Sequence, residues 1–323
     1  MKAIVIDRYG TPDVLRLEEV EAPVPADDQV LVRVRASSVN PYDWHYLTGL
    51  PRLFRPAFGV RRPKYRILGA DLAGQVEAVG KALTGFRPGD EVYGQTAAGA
   101  FAEYVAVAEG EIAPKPANLT FEEAAAVPLA GFTALQALRD QGKVQAGQRV
   151  LINGASGGVG TLAVQIAKAF GAEVTGVCST ANVDLVRSLG ADHVVDYTRE
   201  DFTAGPRRYR FLLDNVGNRK LSECRRALEP KGMYLASHGQ VENRWLGPVW
   251  FLARMAVASP FVSQRLTSFV SQPCRADLLA LKDLIEAGSL KPVVDRAYPL
   301  AGVADAFRHL ETWHTRGKVV ITV

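Results

Sequence analysis

Alternation dominates the first third of the chain. Within residues 29–37, Val30, Val32, Val34 and Ala36 fall on one side, and Leu31, Arg33 and Arg35 on the other. That period of two predicts a half-buried strand. Further strands are predicted over 2–7, 71–80, 90–94 and 100–107, with Arg87-Pro88-Gly89 as a turn. Short strands punctuated by glycine and proline predict a compact barrel rather than a βαβ unit.

Near residue 120 the pattern changes. Residues 121–140 read as helix, interrupted at about 128–131. Short apolar runs at 150–152, 173–177, 193–195, 211–214 and 233–236 then alternate with helical segments, two of them starting at Asn182 and Asn218. This predicts a parallel sheet covered on both faces. Residues 276–287 form an amphipathic helix ended by Gly288, followed by a strand over 293–299, a helix from Val303 and a strand over 318–323. Periodicity leaves open which domain that last strand joins.

One stretch concentrates candidate chemistry: residues 149–171, RVLINGASGGVGTLAVQIAKAFG. Val150, Leu151 and Ile152 suit a buried strand, and the apolar spacing after Thr161 suits a helix stopped by Gly171. Between them lies a glycine-rich turn. The first N–H groups of a helix lack internal partners, and the helix dipole favours negative charge there. The dinucleotide fingerprint G-x-G-x-x-G reads here as Ala155-Ser156-Gly157-Gly158-Val159-Gly160, with Ala155 in place of the first glycine. Gly157 is expected to let backbone approach a pyrophosphate, and Gly160 to let helix pack close to strand.

Composition narrows the classes. At 323 residues, 48% hydrophobic and 22% charged, the chain can build one large or two ordinary cores. A net charge of +4 is too small to imply nucleic acid. Cys178, Cys224 and Cys274 are odd in number and far apart, which argues against a disulfide framework and fits the cytoplasm. The N-terminal residues lack a signal-peptide pattern, and no apolar run reaches the ~18 residues of a spanning helix.

Four motifs carry a family resemblance: SSVNPYDWH (37–45), LGADLAGQVEAVG (68–80), GASGGVGTLAVQIAKAFGAEV (154–174) and LGADHVVDY (189–197). With GDEVYG and GKVVITV, they make the chain resemble the medium-chain dehydrogenase/reductase superfamily, in its zinc-independent quinone oxidoreductase-like branch. The resemblance implies an α/β architecture. A GroES-like β-barrel catalytic domain would comprise residues 1–122 and 271–323. A Rossmann doubly wound parallel sheet would occupy 123–270, with the cofactor in the cleft between the domains. It also implies a homodimer.

Zinc members of the superfamily place a cysteine where this chain has Asn40, and a histidine where it reads Gly69-Ala70-Asp71. Their third ligand falls near Ala130. No four-cysteine lobe for structural zinc is present, and the five histidines lack ligand-like spacing. No metal is therefore expected.

NAD binders carry an acidic residue roughly 20 positions past the glycine turn. Here the second strand ends Val177-Cys178-Ser179-Thr180-Ala181-Asn182, without a carboxylate. Ser179, Thr180 and Asn182 can donate to a 2′-phosphate, and Ser179 and Thr180 can also cap a helix. The family places a phosphate contact near Tyr197. NADPH is the expected cofactor. Ser156, Gly157, Gly158, Val159 and Gly160 would take the pyrophosphate. Asn215, Val216 and Gly217, with Ser237, His238 and Gly239, follow strand C-terminal ends, where open parallel sheets bind ligands. Family placement adds Thr133 and Lys318 near the nicotinamide.

Without a Lewis acid, hydride acceptors whose reduced form delocalises charge are favoured: quinones and α,β-unsaturated carbonyls. Asn40 is a candidate pocket group or a turn residue before Pro41. Tyr42, His45 and Tyr46 are candidate proton donors, against a packed aromatic segment with water as the proton source. The expected function is NADPH-dependent hydride transfer to a quinone-type acceptor. The alternatives are an alkenal or enone double-bond reductase and a non-catalytic NADPH-binding sensor.

Two stretches stand apart. Residues 52–66 hold five arginines and one lysine without an acid, as a solvated loop or a contact for an anionic substrate or membrane surface. Residues 241–272 mix Trp245, Trp250, Phe251, Phe261 and Phe269 with arginines. They are expected to form two short helices acting as a lid or dimer contact, ahead of an interfacial anchor.

Overall fold

The computed structural model describes residues 1–237, 245 and 249–323. The chain divides into two compact units. One comprises Met1–Phe132, Gln272–Gly288 and Pro292–Val323; the other comprises Thr133–Ser271 and Ser289–Lys291. The first division falls inside the helix Pro128–Gln136 rather than at 122–123. The preceding helix Phe121–Ala125 packs on the strands Gln29–Val39 and Asp71–Val79 of the first unit, and Ala124 to Val127 are fully buried.

In the first unit, seven strands among the described residues form one sheet. Its order is Val294–Pro299, Lys318–Thr322, Gln29–Val39, Asp71–Val79, Glu91–Gln95 and Ile112–Pro114, with Tyr104–Ala108 also paired to Gln29–Val39. The long strand Gln29–Val39 shows the expected alternation, Val30, Val32 and Val34 being buried and Arg33 exposed. From Ser37 to Val39 every position is buried, because the chain's last strand covers this end. Register breaks at Leu31/Val32 and Val34/Ala36 bend the strand so that it can serve three partners. The C-terminal strand thus joins the first unit, antiparallel to Gln29–Val39.

Across this sheet Val320, Ser38, Asp71 and Gln95 stand in register. Side chains of paired residues share a face, so three polar groups form a row inside the unit. The strand leads directly into the helix Pro41–Thr48, which the alternation did not signal. Asn40 is its N-cap residue, proline sits at its first position, and Gly49 closes it with φ of +61°.

The second unit holds a parallel sheet. Among the described residues its order is His193–Asp196, Glu173–Cys178, Arg149–Asn153, Tyr209–Asp214, Leu228–Ala236 and Arg265–Ser268. Numbered along the chain, that is 3-2-1-4-5-6, the doubly wound order. The order reverses between Arg149–Asn153 and Tyr209–Asp214, so loops leaving these two strands diverge and open a crevice. In the 241–272 region the described residues form the helix Val249–Ala258, a short 3-10 turn at Ser259–Phe261 and then the strand Arg265–Ser268, which the sequence reading did not anticipate. Only Leu266 of it is buried, which is why apolar periodicity missed it.

Candidate active site

In the second unit, the turn after Arg149–Asn153 runs into the helix Gly158–Ala169, whose N-cap residue is Gly157 with no side-chain cap. The first-turn amides of Gly158, Val159 and Gly160 have no acceptor inside the helix. A Cβ on Gly160 would lie 2.0 Å from the Gly154 carbonyl oxygen, so this glycine is a packing requirement. A Cβ on Gly157 would have nothing nearer than that same oxygen at 3.6 Å, so space is left above the turn. Gly154 takes φ of +78° and lies under Val216 of the neighbouring loop.

That neighbouring loop is held by Asp214, which is fully buried. Its Oδ1 accepts from the amides of Val216 at 3.1 Å and Gly217 at 2.9 Å, and from Asn153 Nδ2 at 2.8 Å. Its Oδ2 accepts from the Tyr234 hydroxyl at 2.7 Å. Asn215 donates to the Asn153 carbonyl at 3.0 Å and accepts from Ser237 Oγ at 2.5 Å. These bonds tie together the ends of three adjacent strands around the crevice. The sequence did not single out Asp214; a carboxylate ending an otherwise apolar strand was the available signal. His238 and Gly239 lie outside the described residues.

On the other side of the turn, Asn182 Nδ2 donates to Ser179 Oγ at 3.1 Å and to Ser156 Oγ at 3.3 Å. Asn182 is 8% exposed, and its Oδ1 is buried without a partner. A buried polar atom left unsatisfied beside an amide-lined turn fits a site completed by a polar ligand. Thr180 donates to Asp196 Oδ2 at 2.5 Å. Thr180, Asp196, Arg187 and Arg199 line a pocket of about 360 Å³. The absence of a carboxylate at the end of the second strand thus holds along the sequence but not in space. Asp196 arrives from the third strand, where it pairs with Cys178. Hydrogen bonds from the Thr180 and Thr198 hydroxyls hold its carboxyl below the usual range, so it is charged at neutral pH. Tyr197 is 37% exposed next to it. The Thr133 hydroxyl is 3.0 Å from Ser271 Oγ.

In the first unit, Asn40 is 1% exposed and Lys318 5%. The Lys318 ammonium donates to Asn40 Oδ1 and, at 3.3 Å, to Asp71 Oδ2. Asn40 Nδ2 donates to Asp71 Oδ2 at 2.9 Å, and the Asn40 amide donates to Asp43 Oδ2 at 2.9 Å. Asp71 also accepts from Ser38 Oγ at 2.6 Å and from the Leu129 amide at 2.9 Å. Asp43 is 2% exposed, and burial beside the Asp71 charge pushes its carboxyl up to about 7. The sequence reading reached Asn40 and Lys318 separately. The structure brings them into one buried cluster and adds Asp43, Asp71 and Ser38.

The aromatic candidates share the helix Pro41–Thr48. The Tyr42 hydroxyl donates to the Ala97 carbonyl at 3.1 Å, and its ring lies 5.0 Å from that of Tyr46. Burial raises the Tyr42 phenol, keeping it protonated. His45 is held neutral by burial, and its Nδ1 lies 2.8 Å from the Leu50 carbonyl. A carbonyl can only accept, so that nitrogen carries the proton and Nε2 is a bare acceptor. Of the basic stretch, Arg66 is bound by Asp7 and Glu18, and Arg55 stacks 4.7 Å from the Tyr9 ring centre; Arg61 and Arg62 are exposed.

Two family models match the chain: "Alcohol dehydrogenase GroES-like domain" over residues 26–117 and "Zinc-binding dehydrogenase" over 189–321. The chain is 36% identical to the chloroplastic NADPH-dependent alkenal/one oxidoreductase of Arabidopsis thaliana, over 99% of this chain and 79% of that protein. It is 33% identical to the quinone oxidoreductase of Sus scrofa, over 98% and 95%. The structure of Escherichia coli quinone oxidoreductase complexed with NADPH superposes with a TM-score of 0.85 and 26% identity, covering all of both chains. The chain belongs to the medium-chain dehydrogenase/reductase superfamily, in its quinone oxidoreductase-like branch, and is an α/β protein with a GroES-like domain and a Rossmann domain. It does not share the donor set that the second model's description implies. Asn40, Ala70 and Ala130 offer one amide and two methyl groups, and an ammonium already occupies the acceptors around Asn40. Among the described residues, no three His, Cys, Asp or Glu side chains converge on a possible ion position. These residues do not fit zinc.

Among the described residues no helix is long and apolar enough to cross a membrane.

Proposed function

We propose that this protein is an NADPH-dependent oxidoreductase that reduces a quinone-type or other conjugated carbonyl acceptor. The observation carrying this reading is the amide-lined turn at the reversal of the 3-2-1-4-5-6 sheet. Gly157 leaves room for a pyrophosphate there, while Asn182 leaves a buried acceptor unsatisfied. NADPH bound there supplies a hydride. The amides of Gly158, Val159 and Gly160 neutralise the pyrophosphate charge. Ser179, Thr180 and Tyr197 are assigned to the adenosine phosphate; in the pocket that Thr180 lines, Arg187 and Arg199 stand against Asp184, Asp196 and Glu200.

The donor set around Asn40 supports this acceptor class. Without a divalent ion there, the product anion must spread its own charge, as hydroquinone and enolate anions do. On the acceptor side, Tyr42 and Tyr46 are the proton-donor candidates. Neutral His45 presents a lone pair at Nε2 and acts as a hydrogen-bond acceptor. The identity to the Arabidopsis alkenal/one oxidoreductase favours a second reading, reduction of an enone double bond.

The test is NADPH consumption against a panel of quinones and a panel of alkenals and enones, alongside NADPH binding by fluorescence. Turnover confined to one panel selects between the readings. Binding without turnover on either would favour a non-catalytic NADPH sensor. A homodimer is part of the proposal, to be checked by light scattering.

A further inference from the structure

The cluster around Lys318 has an unusual composition for the inside of a protein. Two carboxylates, Asp43 and Asp71, are 2% and 0% exposed, and one ammonium lies among them. A buried charge is tolerated only when it is paired and hydrogen-bonded. Asp71 meets that condition with four donors: Ser38 Oγ, Asn40 Nδ2, Lys318 Nζ and the Leu129 amide. Lys318 meets it through Asn40 Oδ1 and Asp71 Oδ2. Around the ammonium the protein therefore offers an amide oxygen and a carboxylate oxygen, with a second carboxylate linked through the Asn40 backbone amide. Two oxygen acceptors, one of them charged, thus seat a cation, and that cation is covalently attached.

The four groups come from four places in the chain. Asn40 follows one strand as the N-cap of the helix Pro41–Thr48, Asp71 begins the next strand, Asp43 lies in that helix's first turn, and Lys318 begins the last strand. Lys318 and Asn40 are 278 positions apart. Asn40 has its oxygen claimed by Lys318 and its nitrogen by Asp71, so its side chain has one fixed orientation. Without the ammonium, Asn40 Oδ1 loses this partner and Asp71 keeps an uncompensated charge.

We propose that the Lys318 side chain is a tethered counter-cation seated in an oxygen-lined cation site, and that it acts as a positioning residue. It fixes the Asn40 amide and, through Asn40 and Asp43, the start of the helix bearing Tyr42, His45 and Tyr46. This differs from a Lys318 that points its charge at the cofactor. The positioning part rests on the oxidoreductase reading; the cation site itself does not.

The test removes the tether and supplies the cation from solution. Lys318→Ala should lower Tm by about 10 °C, the scale of a broken buried ion pair. Ethylammonium chloride, which restores an N–H donor and part of the stem, should recover about half of that loss by mass action at tens of millimolar. Tetramethylammonium chloride at equal concentration has no N–H and should recover nothing. In turnover, Lys318→Ala should lose about tenfold in kcat with KM for NADPH within about twofold, and ethylammonium should raise kcat again. If Lys318→Ala retains wild-type Tm, or if both ammonium salts act alike, the cation site is refuted. If Tm is rescued but kcat is unchanged throughout, the site stands and the positioning role falls. Should the wild type prove inactive on every acceptor, the Tm arm still decides the cation site. Should Lys318→Ala fail to fold, the comparison moves to Lys318→Met against Lys318→Met/Asp71→Asn. Neutralising both partners should restore most of the stability lost by Lys318→Met alone, and no recovery would overturn the proposal.

Discussion

A methyl group added to Gly157 and one added to Gly160 meet different surroundings three residues apart. At Gly160 it collides with the Gly154 carbonyl, so Gly160→Ala must push helix from strand. A stability loss of about 1–3 kcal/mol is expected, with cofactor binding lost alongside it. At Gly157 the backbone is extended and the space is open, so Gly157→Ala should fold normally. The methyl would occupy the approach to the pyrophosphate instead, raising Kd for NADPH about tenfold or more while Tm stays put. Thermal melts beside a fluorescence titration separate the two. Asp196 offers a second residue-scale test. Its carboxylate lines the pocket proposed for the adenosine phosphate, where it would repel a 2′-phosphate. Asp196→Asn should therefore lower KM for NADPH by about fivefold and leave KM for NADH nearly unchanged. A gain for NADH instead would place the 2′-phosphate elsewhere.

Asp43 carries a pH signature. Its folded-state value of about 7 lies above the ordinary 3.8, so between those limits the folded protein holds a proton that the unfolded chain has released. Its contribution to stability is thus fully present below 3.8, falls as pH rises, and is gone above about 7. Asp71, Lys318 and the Asn40 amide face it and set the scale. Asp43→Asn keeps an acceptor for the Asn40 amide but cannot ionise. Urea unfolding at pH 5 and pH 8 should show the wild type losing on the order of 2 kcal/mol that the variant does not lose.

At the scale of elements, the parallel sheet was largely legible because fully buried strands announce themselves as apolar runs. Val150–Ile152 and Phe211–Asp214 are examples, and the observed strands overlap both. Strands whose partners cover only part of them were not. Arg265–Ser268 buries a single leucine, and Arg16–Glu19 buries none, so neither leaves a periodic trace. The helix Pro41–Thr48 was missed although Asn40-Pro41 and Asp43 are a cap, a first-position proline and a returning carboxylate. Its aromatic residues sit on too many sides to show a stripe. The site was legible where backbone makes it, at the glycine turn. It was illegible where side chains from distant strands converge, as Asp71, Asp43 and Lys318 do, or where Asp196 comes from a neighbouring strand. Asp214 is the element-scale clamp. Tyr234→Phe removes the donor to its Oδ2 in a fully buried setting. A loss of about 1–3 kcal/mol is expected in chemical unfolding, with weaker NADPH binding as the Asn215 to Gly217 loop loosens.

For the molecule as a whole, burial divides the three thiols. Cys178 and Cys224 lie in the second unit's interior, where burial raises their thiols to about 11 and about 12. Cys274 is exposed at the start of the helix Arg275–Glu286 in the first unit. A thiol reagent at pH 8 should label Cys274 quickly and the other two only on unfolding of the second unit. Labelling kinetics in rising urea would therefore report the opening of the second unit, without any added probe.

The closing strand, Lys318–Thr322, lies along Gln29–Val39, so the chain's first unit is stitched shut by residues translated after the entire second unit. On the ribosome, the glycine-turn unit can mature while its companion still shows a raw sheet margin and an Asp71 lacking its ammonium. A nascent chain arrested before residue 318 should be recognised by chaperones through that margin alone.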